Sequence, residues 1–307
     1  MKKIVLKSKY NRRGGFTLLE LLVVVAILAA VAGTATIALK DTDARASAAA
    51  HVTMMDEVNK GIRTYRVLKK NELPSRFDSL IQTSTAGDAS AGVGLSNAGF
   101  EIGATGAEDA YLLAIPADVQ AIMSDGGISS LQYVDTTVTP NDSPLDCSDL
   151  FAVINSRANA VVAGNIFMSP AANGCGFNQP MDGSVVMGVW WQGGGERLTG
   201  QPDAGLVEFD GTNLASADSN AYLLTGVGPS STLFDANSLG GMTTVPVYRH
   251  VAADQYGRFI AVWNVGTFNS AGGITAGDQC ELVAIVDGAL DTKEEELGEW
   301  DGTRNTI

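Results

Sequence analysis

Glu20 makes the heaviest demand on its surroundings of any residue in the chain. It is the single charge in the 24 residues from Phe16 to Leu39. A carboxylate in an apolar medium costs about 2–3 kcal/mol unless it meets a cation or its stem lets it reach a polar boundary. The chemistry open to it is charge pairing. Proton transfer and nucleophilic chemistry have less to stand on. The two histidines, His51 and His250, lie far apart, and the chain has no CxxC, HExxH, GxSxG or Walker spacing. The sequence therefore predicts no enzyme. His51, beside an apolar helical stripe, is expected to be solvated or capped. His250 reads as a structural or surface residue at the end of a strand.

The element that positions Glu20 is a helix. Twenty-four residues at 1.5 Å each cover about 36 Å, enough for a bilayer core of about 30 Å. Lys2, Lys3, Lys7, Lys9, Arg12 and Arg13 precede it with no acid among them. That asymmetry holds the N-terminus in the cytoplasm and sends residues 41–307 across the membrane. A secretory signal has a shorter apolar region, of about 7–15 residues, closed by a small-residue cleavage site. Here the run is longer, and the small pair Gly14-Gly15 stands in front of it.

Export would place Cys147, Cys175 and Cys280 in an oxidising compartment. Cys147 and Cys175 sit among loop residues and Cys280 opens an apolar strand, which favours a Cys147–Cys175 disulfide with Cys280 buried and free. The other two pairings stay open. Asp142, Asp146 and Asp149 fall within eight residues, and the stretch from Asp287 to Asp301 is acid-rich. Such loops could supply the oxygen ligands of calcium; a solvated acidic surface is the plainer alternative. No cofactor is required. Residues 81–307 carry six basic and 27 acidic residues, a surface that repels phosphate backbones and argues against nucleic acid as a partner.

The segment Arg12-Arg13-Gly14-Gly15-Phe16-Thr17-Leu18-Leu19-Glu20-Leu21-Leu22 resembles the prepilin-peptidase recognition segment of type IV pilins and type II secretion pseudopilins. The resemblance covers residues 10–40 in detail. It implies cleavage after Gly15, N-methylation of Phe16, and a Glu20 that neutralises the N-terminal amine of a neighbouring subunit in a filament. It also implies the partners: prepilin peptidase, an inner-membrane assembly platform, and copies of this chain or other pilins in a homo-oligomeric or mixed filament. Many pilins carry a proline about twenty residues after the cut, whereas this chain reads Ala32-Gly33-Thr34-Ala35-Thr36-Ile37.

Beyond Lys40 the apolar positions Ala44, Ala48, Val52, Met55, Val58, Ile62, Tyr65 and Leu68 recur at helical spacing. One helix is thus expected from residue 16 to about 70, ended by Glu72-Leu73-Pro74. Residues 84–106 read as an irregular surface connection. Residues 107–123 read as a helix interrupted at Pro116. Strands are expected over 131–134, 161–168, 185–191, 221–227, 245–251, 259–265 and 280–286, with Trp190 and Trp191 on opposite faces of theirs.

The expected organisation is a leader over 1–15, a transmembrane and filament-core helix over 16–39, its amphipathic continuation over 40–72, and a periplasmic or extracellular domain over 73–307. The fold class is α+β, pilin-like, with the long helix packed on an antiparallel sheet. The expected function is a structural subunit of a pilus or a secretion pseudopilus, held in a bacterial inner membrane before assembly. The size of the domain favours a minor role, and the presence of Glu20 argues against a tip position. The alternative is an adhesin or substrate-recognition module on a pilin stalk, for which Trp190, Trp191 and Trp300 are candidate contacts.

Overall fold

The computed structural model describes residues 18–95, 98, 100–103, 110–138, 147, 175–191, 220–235, 240–248, 256–268 and 273–301. The chain divides into two compact units, Met1–Ser47 and Ala48–Ile307. Helix α1 spans Leu18–Leu68, so the division falls within it.

In the first unit the apolar stretch Leu18–Thr36 is helical and solvent-exposed along its length. In the second unit α1 is amphipathic. Ala48, Val52, Met55, Val58, Ile62 and Tyr65 are buried, and Met55, Val58, Ile62 and Tyr65 belong to the same core as the sheet. Leu68, expected on that stripe, is half exposed because the helix ends there. Lys70 and Asn71 take left-handed backbone angles, φ 56° and 78°. The Asn71 N–H caps the Arg66 carbonyl, and the Arg66 guanidinium donates to Asn71 Oδ1 at 2.6 Å. An αL residue of this kind is a helix terminator, and it acts before Pro74 is reached.

Among the described residues a ten-stranded mixed sheet follows. Its strands are β1 Phe77–Thr83, β2 Val93–Gly94, β3 Ile102–Gly103, β4 Ala110–Ala114, β5 Ser130–Asp135, β6 Gly176–Pro180, β7 Met187–Trp191, β8 Asn220–Gly226, β9 Ile260–Phe268 and β10 Ile274–Val286. Helix α2 is Ala117–Asp125 and helix α3 is Lys293–Asp301. The principal path is β3-β4-β7-β8-β1-β5-β6, with β9 on β8 and β10 on β9. The fold is α+β, an apolar N-terminal helix followed by a sheet domain, consistent with the pilin type.

The sheet is not purely antiparallel as expected. β1 runs parallel to β5 and β3 parallel to β4. A parallel pair needs a long crossover, and the β1–β5 connection contains α2. Residues 110–114 form a strand paired antiparallel with β7, where a helix was expected. Five apolar residues are too few to separate the two by pattern, and Ile115, preceding Pro116, is biased toward extended geometry. The connection over 84–106 is not merely surface either, since it buries Ala89, Leu95 and Phe100. Residues 245–248 form no strand: Pro246 has no N–H to give a ladder, and the Val245 and Pro246 carbonyls accept from Arg258 instead. The strand expected over 161–168 lies outside the described residues.

Trp190 and Trp191 are both buried. β7 lies between β4 and β8 and is covered on both faces, so alternation along it does not lead to solvent. Trp190 Nε1 donates to the Leu113 carbonyl at 3.2 Å.

Candidate functional site

Along Leu18–Thr36 the mean hydropathy is 2.5, and Leu18, Leu19, Leu21, Leu22, Ile27 and Leu28 are each more than half exposed. Nineteen residues span about 28 Å, close to the thickness of a bilayer core. Such a helix is apolar on every side, and its stable surroundings are lipid or other apolar helices. Its two threonines satisfy their hydroxyls within the helix: Thr34 Oγ1 donates to Val31 O at 3.0 Å and Thr36 Oγ1 to Ala32 O at 2.8 Å. This removes the penalty for a hydroxyl in hydrocarbon. Glu20 is exposed in the first turn of α1, where the helix dipole favours a carboxylate. Gly15 and Phe16 lie outside the described residues.

Within the second unit two buried polar groupings stand out. In the first, Asp78, at the start of an irregular stretch of β1, accepts a hydrogen bond from the Tyr256 hydroxyl at 2.7 Å. Between Asp78 and Gln82 the register with β5 slips, and Leu80 takes φ 62°. Burial pushes the Asp78 carboxyl up to about 6, against the Tyr256 hydrogen bond and the Arg258 charge, which favour its ionised form. Glycines make the room: a Cβ at Gly226 would land on the Tyr256 hydroxyl and one at Gly228 on the Asp78 carboxylate.

In the second grouping, His51 of α1, expected to be solvated or capped, is buried, because Tyr248 and α3 cover it. Its ring stands edge-on to Tyr248 with centroids 4.8 Å apart, and Nδ1 lies 3.7 Å from Glu296 Oε1. The Tyr248 hydroxyl reaches Glu296 Oε1 at 3.5 Å. Asp287 Oδ1 accepts from the backbone N–H groups of Ala289 and Asp291, both at 2.8 Å. Burial first, then the Asp291 charge and Glu296, push the Asp287 carboxyl up to about 8.

The acid-rich tail is thus largely structural. Thr292 and Glu295 form a capping box on α3, the Thr292 N–H donating to Glu295 Oε2 at 2.7 Å and the Glu295 N–H to Thr292 Oγ1 at 3.4 Å. Among the described residues no three His, Cys, Asp or Glu side chains gather in a way that could hold a metal. Asp142, Asp146, Asp149 and His250 lie outside the described residues. Cys147 and Cys175 are joined by a disulfide, with Cα atoms 5.9 Å apart, and Cys280 is free and buried. Burial, then Glu281, push the Cys280 thiol up to about 12, so it is inert as a nucleophile.

Sequence reasoning missed the two buried acid groupings. Asp78 is followed by Ser79, which broke the strand pattern, and the grouping near Asp287 draws His51, Tyr248 and Glu296 from separate segments of the chain.

Residues 10–36 match the family model described as the prokaryotic N-terminal methylation motif, the prepilin-type signal. No curated protein and no solved structure matches the chain.

Proposed function

We propose that this chain, a type IV pilin-like or pseudopilin precursor by its N-terminal signal, is a structural subunit. Prepilin peptidase cleaves it after Gly15, and it polymerises through α1 into a pilus-like or pseudopilus filament. The observation that carries the reading is the methylation motif over 10–36, continuous with an apolar helix whose whole surface is exposed. A motif of this kind points to a structural rather than a catalytic protein.

Physical chemistry supports the order of events. Six cationic side chains hold the leader in the cytoplasm. Cleavage removes them and creates an ammonium at Phe16, at the helix end where the dipole disfavours positive charge. An ammonium and a carboxylate in an apolar setting each cost several kcal/mol unless they meet. Glu20 of a neighbouring subunit supplies the meeting. Subunit affinity then comes from packing of Leu18, Leu19, Leu21, Leu22, Val23, Val24, Val25, Ile27 and Leu28 against neighbouring helices. The globular domain faces the periplasm or the cell exterior. The displayed-module alternative loses Trp190 and Trp191, which are buried, as contact residues.

The test is co-expression with a prepilin peptidase and mass analysis of the N-terminus. The expected product begins at a methylated Phe16. Gly15→Val should retain the leader; a product starting at Phe16 from that variant overturns the cleavage site.

A further inference from the structure

Basic residues are scarce after the leader and they are not scattered. Of the 14 beyond residue 15, six (Lys60, Arg63, Arg66, Lys69, Lys70 and Arg76) fall between residues 60 and 76, where Glu72 is the one acid. Lys60, Arg63, Thr64 and Val67 lie on one side of α1 and are exposed, as are Leu68 and Lys70 beyond them. Val67 is 83% exposed, so the ridge has an apolar spot between its cations. Among the described residues no ion pair neutralises the ridge. Arg63 donates to Asn59, Arg66 to Asn71, and Lys69 lies over the Tyr65 ring. The ion pairs among the described residues, Lys293–Asp56 and His51–Glu296, use none of these cations.

The complement lies in the same unit. α2 packs on β10, and the Ala276 N–H comes to 3.5 Å from Asp118 Oδ2. Together they expose Asp118, Asp125, Asp278 and Glu281. Residues 110–138 and 273–292 contain no lysine or arginine. β10 pairs with β9 alone among the described strands, so this acid-bearing face is at the margin of the sheet. Ridge and face adjoin, because Arg66, Asp125 and Asp278 line one cleft of about 200 Å³.

We propose that the basic ridge of α1, residues 60–70, docks on the acidic α2–β10 face of another copy of this chain. The occupant is argued from charge: residues 81–307 are strongly acidic and would be repelled by the face, whereas residues 60–76 concentrate six of the 14 basic residues beyond residue 15. Two different surfaces make a head-to-tail contact, which repeats without closing when successive copies are displaced along a line. Rim charges of this kind chiefly set register and partner choice; the main cohesion stays with the apolar helix. The inference rests on the reading that copies of this chain assemble, and its test has one arm that does not need filaments.

Full-length chain in detergent, mixed from isotopically heavy and light copies, is treated with a zero-length carbodiimide that joins lysine to carboxylate. The expected product is a mixed-isotope peptide pair linking Lys60, Lys69 or Lys70 to Asp118, Asp125, Asp278 or Glu281. Links within single copies alone, or none, overturn the proposal. In cells that make filaments, Lys60→Glu with Arg63→Glu should lower filament yield at least about fivefold, as should Asp278→Lys with Glu281→Lys. All four changes in one chain should restore it. Undiminished yield in either reversal, or no restoration, overturns the proposal while leaving the filament reading intact. Mixed-isotope links without any filament would retain the contact and sink the filament reading.

Discussion

Glu20 stands exposed on an apolar helix and Asp78 and Asp287 are buried, and each setting gives a different consequence. For Glu20 the partner in the proposed filament is the amine of another subunit. Glu20→Ala should be processed and inserted normally yet assemble poorly, and normal filament yield from that variant would defeat the role. For Asp78 and Asp287 the consequence is a pH dependence of folding. Both carboxyls titrate higher in the folded chain than their ordinary 3.8, at about 6 and about 8. The folded state therefore binds their protons more tightly than the unfolded state. The stability they contribute is fully present below about pH 4 and is lost as pH rises through about 6 for Asp78 and about 8 for Asp287. Thermal unfolding of the full chain in detergent should give a lower Tm at pH 8.5 than at pH 5.5. Asp287→Asn keeps an acceptor for the Ala289 and Asp291 N–H groups and removes the titration, so it should narrow that Tm difference. A pH profile identical to wild type would place the titration elsewhere.

At the scale of elements, the disulfide ties the residues following β5 to those preceding β6. Cys147 and Cys175 are 28 positions apart, a loop worth about 3 kcal/mol in the chain-entropy account. Replacing both by serine should lower Tm by on the order of 10 °C, read by the same melts. The elements that the sequence made legible were those with a strong local signature. The apolar stretch and the buried stripe of α1 follow from composition and period, and β8, β9 and the C-terminal half of β10 from runs of Val, Ile, Leu and aromatics. β1 was not legible because Asp78, Ser79 and Gln82 interrupt it, and Asp78 finds its partner, Tyr256, only through a tertiary contact. β4 was misread because Ala110–Ala114 suits either period. The start of β10 carries Gly277, Asp278 and Gln279, and three residues beyond the count on β9 are accommodated between the pairings Ala276↔Gly266 and Glu281↔Asn264. Such a bulge leaves no hydrophobic signature. The N-terminal signal was legible because its residues fall within one short segment, 10–36. The polar groupings assemble residues up to 245 positions apart, His51 and Glu296 among them, and no local pattern can announce them.

Taken whole, the molecule separates tasks by position along the chain: cationic leader, apolar helix, basic ridge, acidic domain. The net charge of −14 averages over a segment that the proposed cleavage discards, and the chain from Phe16 onward carries 14 basic and 34 acidic residues. Copies so charged repel one another unless the basic ridge is used. The order of the sheet bears on timing. β8 must arrive before β1 gains its partner at Asp78↔Gly226, which closes a loop of nearly 150 residues, whereas β9 and β10 pair as neighbours in sequence. Loop-closure entropy delays contacts of the first kind. The anchor helix, all of whose contacts are local, forms in microseconds or less, while the domain completes its sheet in about milliseconds to seconds. In the proposed assembly a newly inserted chain is therefore a finished anchor carrying an unfinished domain, and the interval between the two would set how soon a subunit is fit to join a growing polymer.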